Sequence, residues 1–113
     1  MSTKFYTHDL YGFQDRDLNA LKAKLERAFT LTMEKHDSLY HGGLYFRCTD
    51  KTGSVFRLQS NFGEVGDEWA EDEFQKYMTL LYVSSCSAIE ASTIEQMVTM
   101  PLTGGILLRR QAA

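Results

Sequence analysis

A chain of 113 residues, with 15 acidic and 12 basic side chains, has room for one domain, since independent cores take roughly 100–200 residues each. At 43% hydrophobic and 24% charged it fits neither a disordered nor a membrane-embedded class, and its longest apolar run, Met78 to Val83, is far shorter than the roughly 20 residues of a spanning helix. A net charge of −3 speaks against a general nucleic-acid binder, which carries a basic excess.

Phe5 to Leu10 mixes aromatic, Thr and polar residues and reads as a strand, with Gly12 marking a turn. Asp15 or Asp17 offers an N-cap, after which Leu18, Leu21, Leu25, Ala28 and Phe29 recur at helical spacing while Lys22, Lys24, Glu26 and Arg27 face water. Leu31 to Lys35 alternates weakly and can be extended. Past Gly42-Gly43, the alternation of Leu44, Phe46 and Cys48 with Tyr45, Arg47 and Thr49 is that of a half-buried strand. Asp50 to Gly53 turns the chain into a second strand through Phe56 and Leu58, which makes a hairpin.

Thr79 to Val83 is continuously apolar, as in a central strand covered on both sides. Ser87 and Glu90 match a capping box, opening a helix with Ala91, Ile94, Met97 and Val98 on one face. Pro101 and Gly104-Gly105 end it, and Ile106 to Leu108 is a closing strand tipped by Arg109-Arg110. The predicted order is β-α-β-β-β-α-β. It implies a single α+β domain over residues 1–113: a mostly antiparallel sheet of four to five strands, with two helices on one face. The nearest familiar layout is the split β-α-β arrangement with an extra strand.

The negative charge is localised. Glu64, Asp67, Glu68, Glu71, Asp72 and Glu73 lie within ten residues with no Lys or Arg among them, leaving nine acidic residues against twelve basic ones elsewhere. Acids suit the first turn of a short helix, here Ala70 to Tyr77, and exposed charge runs are often merely solvated. Trp69, the only Trp, stands amid these acids between Phe62 and Phe74. An aromatic with a charged rim is the composition of a protein-docking anchor; a single Trp also commonly folds back to cap a core.

Catalytic constellations are sparse. No G-x-S-x-G elbow surrounds a Ser, and neither Gly pair carries a P-loop pattern. Cys48 and Cys86 each sit in an apolar run and read as reduced core thiols. His36 and His41 lack metal-ligand spacing, and the acidic run matches no calcium loop. The expectation is a non-enzyme without cofactor or metal. The N-terminus shows no apolar signal core, which leads to an expected cytoplasmic location. His41, Tyr40, Tyr45, Arg47 and Arg57 are the alternative site, lining a small-ligand pocket on a polar sheet face. A third reading is a self-associating module pairing edge strands into a homodimer.

Taken together, Asp37 to Arg47, Phe56 to Phe62, Gly66 to Phe74, Leu80 to Val83 and Leu107 to Arg110 resemble the small immunity proteins of bacterial polymorphic-toxin systems, in particular those of contact-dependent growth inhibition. The resemblance runs over residues 5 to 110 and implies a cytoplasmic protein, not an enzyme, that neutralises the toxin domain delivered by a neighbouring cell, often a nuclease. Such binding sites differ between cognate pairs, so none carries over by motif. A nuclease grips phosphates with Lys and Arg, and an acidic inhibitor surface suits that cleft. The candidate partner-binding residues are therefore Glu64, Asp67, Glu68, Trp69, Glu71, Asp72 and Glu73, with no direct nucleic-acid or membrane contact.

Overall fold

A computed structural model describes residues 5–38, 43–62 and 68–113. A strand β1 (Thr7–Phe13) leads to helix α1 (Leu18–Phe29), and then come three strands β2 (Glu34–Ser38), β3 (Gly43–Thr49) and β4 (Val55–Ser60). Strand β5 (Thr79–Ser85), helix α2 (Ala88–Val98) and strand β6 (Ile106–Ala112) complete the order. The expected α+β class holds, but among the described residues the antiparallel sheet has six strands, in the order β2-β3-β4-β5-β1-β6. The subset β6-β1-β5-β4 is the split β-α-β layout, and β2 and β3 extend it beyond β4. The sixth strand is the weakly alternating stretch after α1. Its period-2 signal is weak because neither face is deeply covered: Glu34, Lys35 and Asp37 are exposed and His36 is half-buried.

Both helices pack on one face. Leu21 and Leu25 of α1 and Ile94 and Val98 of α2 join Tyr11, Phe13, Phe46, Phe56, Leu58, Leu81 and Val83 in one buried cluster. The two helices start where the sequence places their caps. Asp17 accepts from the Ala20 N–H at 3.0 Å and Ser87 Oγ from the Glu90 N–H at 3.1 Å, each satisfying a first-turn donor. Glu26 closes the far end of α1. Its carboxylate accepts from the Met33 N–H at 2.9 Å and from Lys22 Nζ at 3.1 Å, and these bonds hold its pKa below the usual carboxylate value despite partial burial. The hairpin turn is tied by Asp50 Oδ1, which accepts from the N–H groups of Thr52 and Ser54.

Gly12 corrects one expectation. It lies inside β1, opposite Leu80 on one side and Ile106 on the other, and does not mark a turn. A Cβ there would stand 2.7 Å from the Tyr77 ring and 2.8 Å from Leu108, so the glycine admits a ring where a side chain would stand. Gly12→Ala is expected to destabilise the protein by about 1–3 kcal/mol through overpacking, read as a lower denaturant midpoint with an unchanged slope. An unchanged midpoint would show that Tyr77 moves aside freely.

Candidate functional site

The face of the sheet away from the helices carries the segment that sequence reasoning singled out. Asn61, immediately after β4, is fully buried and organises the return path. Its Nδ2 donates to the carbonyls of Phe74 (3.0 Å) and Tyr77 (2.9 Å), and its Oδ1 accepts from the Glu71 N–H at 2.8 Å. Its backbone carbonyl accepts from the Ala70 N–H and its N–H donates to Met78. All of its polar groups are thus used on residues 70–78, which are bent round one amide. In place of a helix from Ala70 to Tyr77, only Asp72–Phe74 forms a single 3₁₀ turn. The side-chain bonds of Asn61 compete with helical hydrogen bonding.

The seven candidate partner-binding residues divide. Glu64 and Asp67 lie outside the described residues. Glu68, Asp72 and Glu73 are exposed, with Asp72 accepting from Gln75 Nε2 at 2.6 Å. Trp69 is half-buried, bridged to Phe62 in backbone pairing and meeting its ring edge-on at 5.1 Å. It therefore neither caps the helix-side core nor stands free. Glu71 turns inward: Oε1 accepts from Arg109 Nη1 at 2.9 Å and Oε2 from the Tyr82 hydroxyl at 2.7 Å. Glu73 reaches the same Arg109 nitrogen at 3.5 Å. The Tyr82 phenol pKa is pushed up, by burial first and then by its bond to Glu71, so it stays a neutral donor to that carboxylate. Glu71 thus anchors this segment to the sheet, while Glu68, Asp72 and Glu73 stay exposed.

Cross-strand register lays out the rest of this face. One row reads Glu34, Arg47, Arg57, Tyr82, Leu10, Arg109 across all six strands, and the next reads His36, Tyr45, Gln59, Leu80, Gly12, Ile106. Tyr45, Arg47 and Arg57 of the alternative polar-face site do share one side, whereas Tyr40 and His41 lie outside the described residues. The His36 and Tyr45 rings stack at 5.2 Å, and the Arg57 guanidinium lies 4.3 Å from the centre of the Tyr82 ring. Sequence reasoning missed Arg109 as part of this surface and Asn61 as its organiser. The available signal was a lone Asn ending a strand beside a run of acids.

Cys48 sits on the helix side, and burial first, then nearby carboxylates, raise its thiol pKa to about 11; so protonated a thiol is a poor nucleophile at neutral pH. Among the described residues no group of three or more His, Cys, Asp or Glu is placed to hold a metal ion, and no helix is long and apolar enough to cross a membrane. Compared with protein-family models and with curated proteins, the sequence matches none.

Proposed function

We propose that this chain is an immunity-type inhibitor that binds and neutralises a cognate toxin domain, with the surface of residues 64–73 meeting a basic, nucleic-acid-gripping cleft. The supporting observation is the exposed set Glu68, Asp72 and Glu73 beside half-buried Trp69, on a segment anchored through Glu71 and Asn61. Held at Glu71, residues 68–73 present charge without a large ordering cost on binding. The exposed carboxylates steer a basic partner and exclude its polyanionic substrate, and Trp69 supplies apolar area at the centre.

The triple variant Glu68→Lys, Asp72→Lys, Glu73→Lys should lower the association rate for the toxin domain by about tenfold or more and remove most of its salt dependence. Trp69→Ala should act on dissociation instead, at about 2 kcal/mol. Association and dissociation rates measured over a salt series check both. Unchanged affinity and unchanged salt dependence in the triple variant would rule out this surface.

A further inference from the structure

The open sheet face holds a second feature that toxin binding does not use. Arg47 and Arg57 stand directly opposite each other on β3 and β4, and like charges so placed are destabilising. Neither forms an ion pair among the described residues. Arg57 is held by other means, its Nε donating to Gln59 Oε1 at 2.9 Å and its guanidinium lying over Tyr82. These contacts fix its plane without neutralising it.

Beside it lies a shallow depression of about 270 Å³, lined by Arg57, Arg109, His8, Ser84 and Gln111 around Tyr82. His8 and Ser84 are linked at 2.8 Å between Nδ1 and Oγ. Two guanidinium groups, an imidazole, a hydroxyl and an amide thus converge from β1, β4, β5 and β6. The acids near this group are Glu71 and, more distantly, Glu73 at the Arg109 end, and Asp9, which also lines the depression but whose carboxylate is fully buried and held by Arg110.

We propose that this depression binds a phosphate monoester, with Arg57 and Arg109 as the charged clamp and Glu71 as an intramolecular carboxylate that competes for Arg109. Guanidinium groups match tetrahedral oxyanions through paired N–H bonds, and His8, Ser84 and Gln111 add donors around the rim. The Glu71–Arg109 bond at 2.9 Å shows Arg109 already gripping one oxyanion, supplied by its own chain. Arg47 lies one strand further out and contributes charge at longer range. Glu71 belongs to both surfaces, but the clamp residues Arg57 and Arg109 and the small ligand belong to this site alone, so loss of toxin binding would leave it standing.

The test is titration of the free protein with inorganic phosphate and with adenosine monophosphate, at constant ionic strength set with chloride, followed by amide chemical shifts. Saturable shifts should centre on His8, Arg57, Ser84 and Gln111. Arg57→Gln should weaken binding about tenfold or more. Glu71→Gln should strengthen it several-fold by releasing Arg109, while Glu68→Gln, the same charge change on the same segment without that contact, should leave it unchanged. Tighter adenosine monophosphate would assign a nucleotide, and equal affinities a bare phosphate group. Absence of saturation, or equal affinity in the wild type and Arg57→Gln, would overturn the site. Equal strengthening by the Glu71 and Glu68 variants would overturn the competition. Arg57→Gln removes no ion pair among the described residues, so the clamp remains testable even if Glu71→Gln loosens the acidic segment.

Discussion

Arg110→Met is expected to cost about 3–5 kcal/mol of folding stability, a large share of the roughly 5–15 kcal/mol that holds a domain of this kind together. The side chain of Asp9 is completely inaccessible to solvent, and Arg110 meets it with two bonds of 2.9 Å, from Nε to Oδ1 and from Nη2 to Oδ2. Nη2 also contacts Glu95 of α2 at 2.9 Å. One guanidinium therefore joins edge strand β6 to β1 and to α2, and the bonds to Asp9 and Glu95 raise its pKa still further above the ordinary arginine range. Methionine preserves most of the apolar stem but leaves a buried carboxylate without a partner, and that desolvated charge is the larger penalty. Chemical denaturation checks the magnitude. The double variant Asp9→Asn, Arg110→Met should be more stable than Arg110→Met alone, because the orphaned charge is gone. If Arg110→Met stays within about 1 kcal/mol of the wild type, solvent reaches Asp9 freely and the pair is not a clamp.

The same dipeptide shows where sequence reading stops. Arg109-Arg110 at the end of an apolar run reads as a solvated strand tip. In the sheet, adjacent residues of a strand face opposite sides, so Arg110 is drawn to Asp9 on the helix side and Arg109 to Glu71 on the other. The signal for the first pair was present: Asp9 is the one acid in an otherwise uncharged strand core, and a buried acid requires a cation. Its partner is 101 residues away, and only the pairing of β1 with β6 brings them together.

Local patterns fared better. The α1 face of Leu21 and Leu25, the Asp17 and Ser87 caps, the β3–β4 hairpin and the central position of β5 all follow from spacing within a few residues. The acidic segment was visible as a charge run, but its internal division was not. Glu71 and Glu68 are the same residue type three positions apart. One is tied to Arg109 and Tyr82 and the other faces solvent because Asn61 fixes how the chain turns. Composition cannot carry that distinction, since it arises from a hydrogen-bond pattern between residues ten to sixteen apart.

Asn61→Ala should accordingly strike both the fold and the acidic surface. Truncation removes two donors and one acceptor from a residue with no solvent exposure. The Glu71 N–H and the carbonyls of Phe74 and Tyr77 each lose that side-chain partner, at about 1–3 kcal/mol for each buried group left unsatisfied. The sum is about 3–5 kcal/mol once water admitted to the opened segment recovers part of it. Much of that loss should appear as local opening, because residues 70–78 are tethered here while the helix-side cluster has its own contacts. Trp69 reports the difference, being the only Trp of the chain and half-buried against Phe62 beside the Asn61 tether. In Asn61→Ala its emission should shift to the red in the native baseline, before the far-ultraviolet circular dichroism transition, and the amides of residues 70–78 should exchange faster than those of β5. A native-like Trp spectrum with stability within about 1 kcal/mol of the wild type would mean that the segment is held from its other end, through Glu71, Tyr82 and Arg109. In that case Glu71→Ala, and not Asn61→Ala, would release the acidic surface and slow capture of a basic partner.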